Sequence, residues 1–271
     1  MTRTLVFSHA NGFPAGTYRQ LFDLWRQRGW QVLALERFGH DPRYPVTSNW
    51  SRLRDQLLHF IDREAPEGAH LVGHSLGGLL SLLAASRRPD LARGVVLLDS
   101  PVITGWRAHS VQVLKRSRLI GRVSPGRISQ MRRQHWPDRA SVAAHYGSKS
   151  LFARWAPGML DDYIACGIVD ADPATGGGVT LAFDRAVETR IYNTLPHHLG
   201  ALLQRHPLRC PLAFIAGTRS QEVRTGGLGP AHGLAGERFA WIEGTHLYPM
   251  ERPVETAEQV LTLLATMPGG A

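Results

Sequence analysis

The chain has 271 residues, 43% of them hydrophobic and 20% charged, with a formal net charge of +9, so it reads as an ordinary globular protein and not as a disordered or fibrous one. No run approaches the roughly twenty apolar residues of a membrane-spanning helix, and Leu5-Val6-Phe7 opens a strand where a basic leader would otherwise continue, so a cytoplasmic protein with no integral membrane segment is expected. Cys166 and Cys210 fit no metal or redox spacing, which argues against a disulfide framework.

Short apolar runs alternate with segments of helical period, the pattern of a parallel sheet covered by helices on both faces. The first strand spans 4–8 and leads into the loop His9-Ala10-Asn11-Gly12-Phe13-Pro14. Tyr18, Leu21, Phe22 and Trp25 then share one helical face, a strand follows at 31–36, and Trp50, Leu53, Leu57 and Ile61 mark the next helix.

The strand at 69–73 runs into Gly73-His74-Ser75-Leu76-Gly77-Gly78 and then into a helix that is apolar nearly all round, with Leu79, Leu80, Leu82 and Leu83. Strand, Gly-x-Ser-x-Gly and helix in that order predict a nucleophile elbow. Small residues flanking Ser75 let strand and helix approach closely, and the helix N-terminus beneath it favours developing negative charge, with the Leu76 N–H as one oxyanion donor.

After a very apolar strand at 94–98, ending on Asp99, the alternation breaks. Residues 102–209 are Arg-rich, punctuated by Pro and Gly, and helical in pattern without a clear strand. We read them as a helical cap inserted into a core formed by 1–101 and 210–271, lying over the carboxyl ends of the strands where ligands bind in open α/β sheets. Between Trp106 and Pro137 stand Arg107, Lys115, Arg116, Arg118, Arg122, Arg127, Arg132 and Arg133 with no Asp or Glu. This run reads either as a solvated helix face or as a patch attracting an anionic ligand, partner or membrane surface; no recognition motif joins it, so nucleic acid is not expected. Trp106, Trp136, Trp155, Met159 and Tyr163 either line an acyl pocket or form the cap's own core. His197, His198 and His206 match no metal-binding spacing, and neither metal nor organic cofactor is expected.

Strands resume at 212–216 and 238–242, and the last helix begins near Pro253 with Val260, Leu261, Leu264 and Met267 turned inward. A serine hydroxyl needs a positioned base, and among thirteen histidines His246 stands out: it follows the last strand in Gly244-Thr245-His246, just before a helix.

The elbow, the 9–14 loop and Gly244-Thr245-His246 with Glu251-Arg252-Pro253 together resemble the α/β-hydrolase superfamily, in particular its bacterial lipase- and esterase-like members with a helical cap. The resemblance covers nearly the whole chain and implies a shortened, mostly parallel sheet of about six strands, the two leading strands of the family being absent. It implies Asn11 as the second oxyanion donor, with Gly12 and Phe13 also possible because the register of the loop differs from the family's His-Gly. The family's usual acid position, three residues beyond Gly217, holds Ser220. Asp99, at a place some members use, and Glu222, two residues past the vacant slot, compete for the role, and Asp99 is favoured. His9, Phe13, His74 and Trp106 are the candidate substrate contacts, although His74 also reads as packing.

The expected activity is hydrolysis of a carboxylic ester or thioester through an acyl-enzyme on Ser75, with His246 as base. A thioesterase acting on an anionic carrier ester would account for the basic cap. A scaffold used for binding or regulation is the non-enzymatic alternative, supported by the vacant acid slot. Dehalogenase and epoxide hydrolase chemistry would need a carboxylate where Ser75 stands.

Overall fold

The computed structural model describes residues 3–102, 126–226 and 228–270. The strands are β1 (Arg3–Ser8), β2 (Trp30–Ala34), β3 (Ala69–His74), β4 (Ala92–Leu98), β5 (His135–Trp136), β6 (Ile168–Asp170), β7 (Val179–Leu181), β8 (Leu212–Gly217) and β9 (Phe239–Ile242). Six of them form one sheet in the order β2-β1-β3-β4-β8-β9, with every pairing parallel. The expected six-stranded, mostly parallel sheet is therefore present, and each predicted run lies on one of its strands.

Alternate residues of each strand feed opposite faces. Leu5, Phe7, Val72, Val96, Leu98, Ala213 and Ile215 belong to one buried cluster, and Val6, Leu71, Val95, Leu97 and Phe214 to the other. Helix α1 (Arg19–Gln27) covers the first face with Leu21, Phe22 and Trp25 and packs on the last helix, Pro253–Ala265. Helices α2 (Ser51–Glu64) and α3 (Leu76–Arg87) cover the second, and α3 is buried on nearly all sides because it lies between the sheet and α2. This two-sided burial explains why the strands read as continuous apolar runs rather than as alternating ones.

The chain winds outward from β1 to β2 and then returns to β3 on the other side of β1. Loops leaving β1 and β3 thus diverge at the point where the winding reverses, the usual place for a ligand in such sheets.

Residues 126–209 depart from the expected strand-free insertion. They contain short helices and a second, three-stranded antiparallel sheet in the order β5-β7-β6. Strands of two or three residues are too short to show a period of two, which is why the sequence pattern hides them. Trp136, Trp155, Met159 and Tyr163 from this segment are all buried within the same cluster as α1. Among the described residues no helix is long and apolar enough to cross a membrane.

Candidate active site

Ser75 joins β3 to α3 with φ 54° and ψ −113°, a left-handed conformation a side-chain-bearing residue rarely adopts. The turn is fixed on one side by the Ser75 N–H donating to the Leu98 carbonyl at 2.9 Å. It is made possible on the other by absent side chains: a Cβ on Gly77 would stand 1.9 Å from the Ser8 carbonyl oxygen, and one on Gly73 2.3 Å from the Gly77 carbonyl carbon. Leu76 opens α3, so its N–H has no acceptor within the helix and is available to a developing oxyanion.

Asp99 follows β4, the strand beside β3, and is also held at positive φ, 45°. Its N–H donates to the Ile215 carbonyl at 2.9 Å, and its side chain is fully buried. The carboxylate accepts three hydrogen bonds: from Gly217 N–H at 2.7 Å on Oδ1, and from Ser220 Oγ at 2.5 Å and His246 Nδ1 at 2.7 Å on Oδ2. Glu222 lies further off, its Oε2 4.0 Å from His246 Nδ1. The geometry therefore pairs His246 with Asp99. Ser220, which fills the family's usual acid position, serves that pair by donating to its carboxylate.

His246 sits on the loop after β9. The loop is pinned by Glu251, which accepts from Thr245 N–H at 3.0 Å and from Thr245 Oγ1 at 2.6 Å, while Thr245 Oγ1 accepts from Leu247 N–H at 3.2 Å. Because Nδ1 donates to Asp99, the lone pair of Nε2 is left to accept a proton. The side chain is 17% exposed. Burial draws its pKa down, but the hydrogen bond and charge of Asp99, with the charge of Glu222, more than offset this and leave it above 6.5. Replacing Glu222 by Gln removes one of the anions that hold the proton. The acidic limb of the kcat/KM–pH profile is then expected to move to lower pH, as read from a substrate whose own charge does not change over that range.

His74, Tyr18 and Ala10 form a buried chain beneath these groups. His74 Nε2 donates to the His246 carbonyl at 2.8 Å, and its Nδ1 accepts from the Tyr18 phenol at 2.7 Å. The phenol oxygen accepts in turn from Ala10 N–H at 3.2 Å. Burial, followed by the neighbouring His246, holds the His74 pKa well below 6.5, so it stays neutral. With a fully buried ring and both nitrogens engaged, His74 ties the β1 loop, the elbow and the His246 loop together instead of touching substrate. His9 corrects in the same way. Its Nδ1 donates to the Ala10 carbonyl at 2.8 Å, its Nε2 accepts from Phe38 N–H at 3.1 Å, and burial lowers its pKa to about 4.

In the oxyanion loop the Phe13 N–H is already committed to the Ala10 carbonyl at 3.1 Å, which leaves the N–H groups of Asn11 and Gly12 as candidates. The Asn11 side chain faces away from that role, with Nδ2 donating to the Glu188 carbonyl at 3.0 Å. Gly12 has φ +82°, and a Cβ there would lie 3.0 Å from the Glu188 carboxylate and 3.1 Å from Arg132 Nη1. Arg132 and Glu188 form an ion pair at 2.9 Å and thus pack directly on this loop.

Asn11, Phe13, Glu222 and His246 open onto a cavity of about 1180 Å³ that is also lined by Arg132, Tyr146, Phe152 and Tyr192. Trp136, Trp155, Met159 and Tyr163, offered by the sequence as pocket lining or as packing, are buried packing residues outside that lining. Trp106, Arg107, Lys115, Arg116, Arg118 and Arg122 lie outside the described residues. Asp99, Glu222 and His246 bring their donor atoms within 4.8 Å of one another, close enough to hold an ion, but the Asp99 oxygens are already occupied by three donors.

A parallel sheet wound in this order, with an elbow after β3 and a histidine loop after its last strand, is the architecture of an α/β hydrolase. The chain belongs to the alpha/beta hydrolase family, whose model matches residues 5–259. Its sequence is 29% identical over 131 residues to the monoglyceride lipase of Rattus norvegicus, covering 45% of this chain and 43% of that enzyme, so the match spans less than half the length of such relatives. Among solved structures it is similar to E-2-(acetamidomethylene)succinate hydrolase, with a TM-score of 0.73 at 20% identity over 97% of this chain and 92% of that one. It is similar also to the thioesterase domain from the curacin biosynthetic pathway, with a TM-score of 0.70 at 17% identity over 96% and 91%.

Proposed function

We propose that this chain hydrolyses a carboxylic ester or thioester through an acyl-enzyme on Ser75. The observation that carries the reading is the 2.7 Å bond from His246 Nδ1 to the buried Asp99 carboxylate, on a loop joined through the His246 carbonyl to His74, the neighbour of a serine held at φ 54° on a strand-to-helix turn. Ser75 Oγ attacks the carbonyl carbon while His246 Nε2 takes the hydroxyl proton, and the carbonyl π electrons move onto oxygen. Leu76 N–H and an N–H of the Asn11–Gly12 turn stabilise that oxyanion. Collapse expels the alcohol or thiol, which receives the proton from His246. Water, deprotonated by the same imidazole, then releases the acid and restores Ser75.

Residues 102–209 act in this reading as a cap, the described part supplying Arg132, Tyr146 and Phe152 to the lining of the cavity. The similarity to monoglyceride lipase over part of the chain and to a thioesterase domain by fold agrees with both ester and thioester substrates. A thioesterase is the second reading, favoured by the cationic lining described below. The vacant acid slot that would have suited a non-catalytic scaffold loses its force once Asp99 stands at His246 Nδ1.

The test is a panel of p-nitrophenyl esters of increasing acyl length run beside acyl-coenzyme A thioesters. Turnover at least about 10⁶ above the uncatalysed rate for one class is expected. No turnover of any member by folded protein would end the proposal.

A further inference from the structure

We propose that the mouth of the cavity binds an anionic group, a carboxylate or phosphate, carried by the substrate at the end remote from the ester. This rests on the hydrolase reading and adds the substrate class to it.

Among the described residues the cavity is lined by five cationic side chains, Arg132, Arg133, Lys149, Arg154 and Arg219, and by two carboxylates, Glu188 and Glu222. Two of the cations are neutralised, Arg132 by Glu188 at 2.9 Å and Arg219 by Glu243 at 3.0 Å. Among the described residues Arg133, Lys149 and Arg154 enter no ion pair, and residues 103–125 contain no Asp or Glu that might supply one.

Arg132, Arg133 and Lys149 gather on one run of aromatic rings. Lys149 Nζ lies 5.3 Å from the centroid of the Tyr146 ring, and Arg132 Cζ lies 5.8 Å from that same centroid. The Arg133 guanidinium is 5.5 Å from the Trp136 ring, which contacts His145 at 5.6 Å, and His145 contacts Tyr146 at 5.1 Å. Positive charges assembled in a concavity repel one another more than the same charges spread over a convex surface, where water screens each of them. The titrating neighbours register that field. His145 is pulled below 6.5 by burial and then by Lys149, Arg133 and Arg132, and Lys149 is lowered by burial and by Arg132.

The same lining includes His246 and the aromatic rings of Phe13 and Phe152, and Phe152 packs on Tyr146 at 4.7 Å. A substrate held in the cavity therefore has the catalytic imidazole, aromatic surface and unbalanced positive charge around it. The complementary molecule has a reactive ester or thioester, a short hydrocarbon segment and a negative end. A bound anion would relieve the repulsion among the cations, so charge recognition stabilises the complex as well as selecting the substrate.

The test compares p-nitrophenyl hydrogen adipate with its neutral methyl ester, matched in chain length and leaving group. At low ionic strength the charged substrate is expected to show a kcat/KM about tenfold higher, the advantage disappearing by about 0.5 M salt. Combining Arg133→Gln with Lys149→Gln should bring the ratio of the two close to one. Equal kcat/KM values in the native protein, or a ratio that survives the double substitution, overturns the proposal. Calorimetric titration of the Ser75→Ala protein with hydrogen adipate ester and with hexyl phosphate decides the matter independently of turnover. Salt-sensitive binding of either is expected, and which of the two binds identifies carboxylate or phosphate as the recognised group. If neither binds, the anion site is refuted even where esters are hydrolysed; if they bind and no ester is turned over, the hydrolase reading fails and the anion site stands.

Discussion

Asp99→Asn is expected to lower kcat by about 10⁴-fold, because the substitution reverses the hydrogen-bond polarity at the base. Asp99 Oδ2 accepts from both His246 Nδ1 and Ser220 Oγ, while Oδ1 accepts from Gly217 N–H. An asparagine can keep only one oxygen acceptor. If the amide oxygen stays on Gly217 N–H, the amide NH₂ points at His246 Nδ1, and the imidazole proton is driven to Nε2, the nitrogen that must receive the Ser75 proton. The measurement is kcat on the best ester of the panel, with circular dichroism to show that the protein is folded. Glu222→Gln under the same conditions provides the contrast: it withdraws a charge 4.0 Å away but breaks no hydrogen bond to the ring, so its effect appears in the pH profile.

Ser75→Ala is expected to cost about 10⁶ in kcat, leaving only the residual catalysis that oxyanion donors and substrate positioning supply. Adding His246→Ala to this variant should produce almost no further loss, because the imidazole has no hydroxyl left to activate. Losses that multiplied instead would mean that the two side chains act independently. The alanine also removes no packing of consequence, since Ser75 is only half-buried on the turn. A rate defect with unchanged thermal stability is therefore the expected signature.

The elements of this site differ in how far sequence exposes them, and the difference follows the range of the interactions. The elbow is local: Gly73, Ser75 and Gly77 are needed within five residues because the backbones they join nearly touch, and a Cβ on Gly77 would collide with Ser8. The six strands are legible because two-sided burial forces apolar side chains at nearly every position. The His246 loop is legible because it combines a glycine, a histidine and a helix start after the last apolar run.

From sequence Asp99 and Glu222 compete for the acid, with Asp99 favoured for its place at the end of an apolar strand. Choosing between them requires knowing that β4 and β8 are adjacent, although 113 residues separate the end of one from the start of the other. That adjacency brings Asp99 to Gly217 and Ser220, and it turns an apparently empty acid position into a donor. The bonds of Tyr18 to His74 and of Glu188 to Arg132 are hidden for the same reason, since the partners are 56 residues apart in each case. Arg132 itself was visible only as one member of a basic run. The aromatic residues of 136–163 stay ambiguous in sequence, which marks them as pocket-formers or packing, and their burial identifies them as packing.

Everything rests on Ser75 and His246 acting together, and the most direct measurement is the rate at which a fluorophosphonate modifies Ser75, followed by peptide-resolved mass spectrometry in the native protein and in His246→Ala. The expected result is a single adduct on Ser75 in the native protein, formed at least about 10³-fold more slowly when the imidazole is absent. A folded native protein whose Ser75 remains unmodified, or is modified equally fast without His246, would contradict the proposed mechanism.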